Sequence, residues 1–178
     1  MNCKKLKCIA LTIDDGPVPG TSRVLDVLKK KGVSATFFML GQSVNAYPKI
    51  VKRMADEGHA IGNHSFSHPQ FLKLSKADMD SQLSRTQKAI KKAGGKTPVL
   101  FRPPYGQLSA SIKKAAKDAN LSIILWTIDP QDWKDKDTDT VVKRITKSAK
   151  RNAVVLIHDV WPTTRAAIEP VIDKLLSQ

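Results

Sequence analysis

The chain has 178 residues, a length typical of one domain, and 41% of them are hydrophobic, which supports a packed core and excludes a disordered chain. No apolar run is long enough to span a bilayer, so no transmembrane segment is predicted. Met1 is not followed by a secretory h-region, although a mature secreted fragment with an added methionine would look the same. The net charge is +14, from 30 basic and 16 acidic residues.

This positive charge is typical of a protein that meets polyanions. The lysines are spread over many predicted helices, and no aromatic-rich basic strand of the RNA-binding kind occurs. We therefore expect an anionic or wall-like polymer as the partner and no specific nucleic acid. Cys3 and Cys8 are the two cysteines, and their isolation at the N-terminus favours a disulfide and an oxidising compartment over a pair of free thiols.

Apolar runs and turn residues predict strands that alternate with helices. The predicted strands are 7–13, 35–40, 60–62, 98–101, 121–128 and 153–157. The predicted helices are 21 or 22 to 31, 48–57, 75–93, 109–120, 138–151 and 164–176. Thr21 or Ser22 can cap the first of these helices, and Gly32 ends it. This order predicts an α/β fold with a parallel sheet. A full barrel of eight units needs about 250 residues, so we expect a distorted, incomplete (β/α) barrel of six or seven parallel strands. An open doubly wound sheet is the alternative.

Polar clusters follow the predicted strands, at the rim that carries the active site in α/β barrels. His64 and His68 are four residues apart, and on a helical turn that spacing places both imidazoles on one face. Asp14 and Asp15 are adjacent and would repel each other unless a cation or a proton intervenes. One of these carboxylates with both histidines predicts a catalytic metal site with open positions, although each cluster alone is also compatible with a solvated loop. Zinc is the default ion, and cobalt or manganese also suit these ligands.

Three later clusters have a structural and a functional interpretation. Arg102, in the rigid sequence Arg-Pro-Pro-Tyr-Gly, can pair with a loop carboxylate, and Tyr105 can present its backbone N–H to an oxyanion. His158 is either a rim residue or a catalytic acid, which Asp132 would keep protonated. Trp133 is either a core residue or a wall of an acyl pocket. The remaining histidine, at position 59, has no partner motif and is interpreted as structural.

Five separate segments, in order, resemble the motifs of one family, the polysaccharide deacetylases of carbohydrate esterase family 4 with their NodB-homology domain. One departure is Ile13, which stands where the family usually has phenylalanine. The segments span nearly the whole chain, so a single NodB-homology catalytic domain over residues 1–178 is expected. The segments are 12–16 (Thr-Ile-Asp-Asp-Gly), 64–68 (His-Ser-Phe-Ser-His), 102–106 (Arg-Pro-Pro-Tyr-Gly), 129–133 (Asp-Pro-Gln-Asp-Trp) and 156–159 (Leu-Ile-His-Asp).

The resemblance implies a distorted barrel and the metal-dependent removal of acetyl groups from carbohydrate. Carried over by position, it implies the following roles: Asp14 is the base and Arg102 orients it; Asp15, His64 and His68 hold the metal; Tyr105 contributes to the oxyanion hole; His158 is the acid, tuned by Asp132; and Trp133 and Leu156 line the acetyl pocket.

The motifs do not separate amide from ester substrates. We expect an N-acetylglucosamine polymer or oligomer such as chitin, or acetylated xylan, with peptidoglycan as an alternative. A catalytically silent, basic polysaccharide-binding module is a second alternative, and nucleic-acid binding, a third, would show a steep salt dependence. The metal is expected to be zinc, with cobalt, manganese or nickel as further candidates. A secreted or wall-associated monomer is expected.

Overall fold

The computed structural model describes residues 8–177. The strands in this range are β1 (Ala10–Asp14), β2 (Thr36–Met39), β3 (Ala60–Asn63), β4 (Leu100–Phe101), β5 (Ser122–Ile123) and β6 (Val154–His158). The helices are α1 (Thr21–Lys31), α2 (Gly41–Ala46), α3 (Pro48–Asp56), α4 (Lys76–Lys92), α5 (Ala110–Asp118), α6 (Asp132–Asp135), α7 (Thr138–Ser148) and α8 (Pro162–Leu176). Two 3-10 turns cover Phe71–Lys73 and Pro104–Gly106.

The strands form one sheet in the order β5-β4-β3-β2-β1-β6, and each neighbouring pair is parallel. The predicted distorted, incomplete barrel is confirmed, with six strands, and the open doubly wound alternative does not form. Because all strands run in one direction, their carboxyl ends meet at one edge. Asp14, the last residue of β1, is in register with Phe38 of β2 and with His158 of β6.

Residues 121–128, which we call the seam, connect the two ends of the sheet. The start of the seam bonds beside β4, where the Ile124 N–H donates to the Phe101 carbonyl at 2.9 Å. Its end bonds to β6, where the Thr127 N–H donates to the Val154 carbonyl at 2.9 Å. The prediction of one continuous strand here is wrong, because the segment pairs first with β4 and then with β6. It thereby links the two edge regions of the sheet.

The short helices α2 and α6 are absent from the sequence prediction. The first two N–H groups of α2 donate to the carbonyls of Ser65 and Phe66, so a tertiary contact stabilises a segment that is predicted as a loop. Helix α6 begins after Gln131, whose φ of 55° is left-handed. Helix α7 ends three residues before its predicted end at residue 151, and α8 begins two residues before its predicted start at residue 164.

Helix α1 shows which capping predictions hold. Its N-cap is Gly20, without a side-chain hydrogen bond, so the prediction of Thr21 or Ser22 as the cap is wrong. Thr21 is instead the first helical residue, and its hydroxyl accepts from the Val18 N–H at 2.9 Å. Gly32 ends the helix as predicted, with a φ of 64° that glycine adopts without steric cost.

The apolar side chains pack in two clusters behind the sheet edge that carries the polar residues. The larger cluster lies between the sheet and helices α1, α3, α7 and α8, and the smaller one surrounds Phe101 with α4 and α5. In α1, Val24, Leu25 and Leu28 are buried, as their spacing predicts. His59 is also buried and accepts a hydrogen bond from the Ala35 N–H, which agrees with its structural interpretation.

Two sequence predictions fall on residues 1–7. Cys3 lies outside the described residues, so the Cys3–Cys8 disulfide stays a prediction, and so does the start of the first strand at Lys7. Among the helices of residues 8–177, none is both long and apolar enough to cross a bilayer.

Candidate active site

A cavity of about 430 Å³ opens at the carboxyl ends of the strands. Eight of the residues that line it are named by the sequence analysis: Asp14, Asp15, His64, His68, Tyr105, Trp133, Leu156 and His158. Four more were not foreseen: Pro103, Trp126, Asp129 and Trp161. Two further predicted residues, Arg102 and Asp132, are fully buried. They form hydrogen bonds with Asp14 and His158, respectively, which line the cavity. The structure therefore brings the whole predicted set together.

Asp15, His64 and His68 form a compact cluster of potential metal ligands. The Nε2 atoms of His64 and His68 lie 3.4 Å and 3.6 Å from Asp15 Oδ1, and one donor atom from each residue lies within 4.8 Å of the other two. Of the two adjacent carboxylates, Asp15 is thus the one that meets both histidines. Asp14 Oδ2 lies 3.7 Å from the same nitrogen of His64, Nε2.

The two histidines lie in a loop and converge without the helical turn that their spacing would suit. Ser65 and His68 both have a left-handed backbone, with φ values of 71° and 60°. The bend is held by side chains, since Asn63 Oδ1 accepts the Ser65 N–H and Gln82 Oε1 accepts the N–H groups of residues 66 and 67. The imidazole centroids end 5.0 Å apart.

The donor atoms of this cluster fit a divalent cation. His64 Nδ1 lies 2.6 Å from the Arg102 carbonyl, a contact that places the proton on Nδ1 and leaves Nε2 as the free ligand atom. Asp15 Oδ1 is buried and accepts no hydrogen bond from the described residues, a state that costs free energy unless a cation or proton compensates it. One carboxylate oxygen and two imidazole nitrogens suit zinc, cobalt, nickel or manganese.

Asp14 has a different environment, although it is adjacent in sequence. Arg102 Nη1 donates to Asp14 Oδ1 at 2.7 Å, and the two side chains are 0% and 2% exposed. Burial raises the pKa of Asp14 above its usual range, and this effect outweighs the lowering by His64 and Arg102. The carboxylate is therefore oriented by Arg102 and is more basic than an exposed aspartate.

Arg102 also reaches the seam. Its Nε and Nη2 donate to the carbonyls of Ile124 and Leu125 at 3.2 Å and 3.1 Å, at the point where the seam leaves one neighbour for the other. The guanidinium carbon lies 4.2 Å from the ring centroid of Phe38 and 5.6 Å from that of Trp126. The side chain thus supplies hydrogen bonds that the interrupted strand lacks.

His158 is fixed by both oxygens of Asp132. Asp132 Oδ1 lies 2.9 Å from His158 Nδ1, and Oδ2 accepts the His158 N–H at 2.7 Å and the Thr164 hydroxyl at 2.9 Å. Burial alone would lower the pKa of His158, but the hydrogen bond and the charge of Asp132, together with Asp15 and Asp14, raise it to about 9. The imidazole is therefore cationic at neutral pH, with Nε2 turned away from Asp132.

Aromatic side chains surround the charged centre. The ring of Tyr105 packs edge-on against the imidazole of His68, with 4.6 Å between the ring centroids. Tyr105 is 60% exposed. Trp133 is half-exposed at the mouth, whereas Leu156 is buried at the base. Trp126 and Trp161 were missed, although each lies close to a named motif, and that proximity was the available signal.

Asp159 was also not assigned a role by the sequence analysis. It is fully buried, its Oδ2 accepts the Thr21 hydroxyl at 2.5 Å, and its Oδ1 has no hydrogen bond among the described residues. A β-carbon on Gly16 would lie 2.9 Å from Oδ1, so only glycine fits there without a shift. Burial raises the pKa of Asp159 to about 6. Asp159 thus supports the loop that carries Asp15.

The family model described as polysaccharide deacetylase matches residues 1–124, more than half of the chain. The chain belongs to this family. This membership confirms the resemblance to carbohydrate esterase family 4. The fold of this chain is similar to that of the solved structure of the peptidoglycan deacetylase PdaC from Bacillus subtilis. That structure has a TM-score of 0.95 and 41% identity, and the match covers 100% of this chain and 87% of that one.

The relatives that match this chain are deacetylases named for different carbohydrate substrates. It is 43% identical over 173 residues to the peptidoglycan-N-acetylmuramic acid deacetylase PdaC of Bacillus subtilis, covering 97% of this chain and 36% of PdaC. It is 44% identical over 176 residues to the peptidoglycan-N-acetylglucosamine deacetylase PgdA of Listeria monocytogenes, covering 98% and 37%. A chitooligosaccharide deacetylase of Rhizobium leguminosarum bv. trifolii is 37% identical over 155 residues, covering 86% and 72%. The chain spans little more than a third of the length of PdaC and PgdA.

Proposed function

We propose that this chain is a metal-dependent hydrolase that removes acetyl groups from the amino sugars of a cell-wall polysaccharide. The observation that carries the proposal is the joint presence, in one cavity, of the Asp15, His64 and His68 cluster, an Arg102-oriented Asp14 and a cationic His158. Hydrolysis of an amide needs a base for water, an acid for the leaving nitrogen and positive charge near the carbonyl oxygen. The described residues supply the first two.

Asp15, His64 and His68 would hold the divalent cation. When bound, this cation would polarise the acetyl carbonyl and make nearby water easier to deprotonate. Zinc is the first candidate, and cobalt, manganese and nickel are alternatives.

Asp14 is the proposed general base. Burial raises its pKa, so the carboxylate binds a proton from water more readily than an exposed aspartate does. Arg102 accounts for Oδ1, which leaves Oδ2, the oxygen that lies 3.7 Å from His64 Nε2, facing the cluster. The base therefore acts at the side of the cavity where water would be activated.

His158 is the proposed general acid. It is cationic at neutral pH, and Asp132 engages Nδ1, so the proton on Nε2 is the one available to the departing sugar nitrogen or oxygen. Trp133 and Leu156 are proposed walls of the acetyl pocket, and the backbone N–H of Tyr105 a proposed donor to the developing oxyanion, as the family resemblance implies.

Peptidoglycan is the favoured substrate class. Chitin and chitooligosaccharides are the first expectation from the sequence, but PdaC and PgdA, which each match nearly all of this chain, are named as peptidoglycan deacetylases. The +14 charge agrees with an anionic wall polymer. Because peptidoglycan lies outside the cytoplasmic membrane, the proposal includes a secreted or wall-associated protein.

The test is acetate release by chelated protein, with and without added zinc, cobalt, manganese or nickel. The substrates are peptidoglycan fragments, chitin oligosaccharides and acetylated xylan. We expect metal-dependent acetate, highest from peptidoglycan fragments. If metal-dependent acetate came from acetylated xylan alone, the substrate would be an ester and not the proposed amide. The absence of acetate with every metal and substrate, from protein shown to be folded and to bind metal, would overturn the proposal in favour of a silent binding module.

A further inference from the structure

A positive charge that the proposed chemistry does not use lies against a residue of the cavity wall. Lys136 Nζ lies 3.9 Å from the centroid of the Trp161 ring, and Trp161 lines the cavity. An ammonium group at this distance from an indole is attracted by the negative face of the ring. The charge is therefore held against a wall residue, although Lys136 is itself exposed and does not line the cavity.

Lys136 has no acidic partner in the part of the chain that the structure describes. Its two acidic neighbours in sequence are engaged elsewhere. Asp135 pairs with Arg144, and Asp137 caps α7 by accepting the Thr140 N–H at 2.8 Å. An ammonium group that lies beside the wall of a cavity without a carboxylate partner is available to an anionic group on a ligand.

The position of Lys136 is tied to that of the proposed acid. Lys136 ends α6, the four-residue helix that begins with Asp132, and its N–H donates to the Asp132 carbonyl at 3.2 Å. Asp132 in turn holds the imidazole of His158. On the other side, the Trp161 N–H donates to the His158 carbonyl at 3.4 Å. Both partners of the cation–aromatic pair are thus connected to the residue that would protonate the leaving nitrogen.

We propose that Lys136 selects substrates in which a carboxylate stands beside the acetamido group. N-acetylmuramic acid has this arrangement, because its lactyl ether is on the sugar carbon next to the one that bears the acetamido group, whereas N-acetylglucosamine has a hydroxyl there. The inference rests on the proposed function and narrows its substrate class. It assigns the choice between the two sugars to a residue outside the five motifs.

The experiment compares one ligand in two charge states. The substrate is the disaccharide of N-acetylglucosamine and N-acetylmuramic acid, used as the free acid and as its methyl ester, and mass spectrometry assigns which sugar loses acetate. The proteins, each loaded with zinc, are the wild type, Lys136→Gln, Lys136→Arg and, as a matched control on the same helix, Lys134→Gln. We expect the wild type to favour the free acid at the N-acetylmuramic acid unit by about fivefold in kcat/KM, the upper range for a partly exposed ion pair.

The ratio of free acid to ester decides the proposal. It should fall to about one in Lys136→Gln, persist in Lys136→Arg and Lys134→Gln, and decrease with added salt. A wild-type ratio of one, or an equal loss in Lys134→Gln, would overturn the inference. If no variant releases acetate from either form, the proposed function fails separately. Tryptophan fluorescence titration with the same two ligands then decides whether Lys136 distinguishes them, and equal affinities would reject the inference.

Discussion

Arg102 Nη1 donates to Asp14 Oδ1 at 2.7 Å in a site where neither side chain is more than 2% exposed. The same Arg102 nitrogen also donates to the Thr12 hydroxyl at 2.8 Å. A buried carboxylate with such a partner keeps one orientation, and its second oxygen is left for chemistry. Because the pair is buried, removal of either residue leaves the charge of the other without its counter-ion.

Asp14 and the ligand cluster are separable by substitution. Asp14→Asn should reduce acetate release by about 10²-fold or more, because the proposed base is lost, while zinc still binds. His64→Ala should lose both zinc and turnover. Calorimetric zinc titration and acetate assays on the same preparations check both expectations. Near-normal turnover by Asp14→Asn, with zinc bound, would show that another group is the base.

Arg102→Met should destabilise the protein by about 3–5 kcal/mol, since it leaves Asp14 buried without its partner and two seam carbonyls without donors. Urea unfolding at pH 7 measures this loss. Arg23→Met, at an exposed position of α1, is the matched control and should change stability by no more than about 0.5 kcal/mol. A comparably small effect of Arg102→Met would mean that the guanidinium is not needed to hold the seam.

The pH profile of turnover reports on His158. Its pKa is raised to about 9, so the acid form is present below that pH and is lost as the pH rises through it. The alkaline limb of kcat/KM should therefore lie near pH 9 in the wild type. Asp132→Asn removes the charge that raises the pKa, so the limb should move to lower pH. Asp135→Asn, on the same helix, should leave the limb in place. An unmoved limb in Asp132→Asn would exclude His158 as the titrating acid.

Asp159 should make stability depend on pH in mildly acidic solution. Its pKa is raised from 3.8 to about 6 in the folded protein, so its favourable contribution is complete below 3.8 and is lost as the pH rises through 6. Relative to Asp159→Asn, the wild type should lose roughly 2 kcal/mol of stability between pH 4 and pH 7. Urea unfolding of metal-free protein measures the difference at each pH. Parallel curves for the two proteins would indicate an unshifted carboxyl.

The predicted site residues converge because of topology. In a parallel sheet every strand ends at the same edge, so polar residues that directly follow apolar runs must meet there. Asp14 and His158 are the last residues of β1 and β6, and His64 and Arg102 directly follow β3 and β4. The sequence alone could therefore place the cavity, and the motif resemblance could assign roles within it, which remain predictions.

Other features depend on contacts that no local pattern encodes. The apolar run at 121–128 looks the same whether it pairs with one neighbour throughout or with two in turn. The convergence of His64 and His68 depends on left-handed backbone at two non-glycine residues and on a bridge from Gln82, which is far away in sequence. Asp159, beside a histidine, is indistinguishable in sequence from a solvated rim residue.

Arg102 has a second, structural role at the seam. Eight strands usually close a barrel by hydrogen bonds between neighbours, whereas here one guanidinium bonds to two carbonyls of the seam, just after β5 ends. The proposed chemistry and the barrel architecture thus depend on the same side chain. A redesign that shifts Asp14 to suit a different reaction would also open the wall of the barrel, so the scaffold limits which chemistries can be reached from this sequence by small steps.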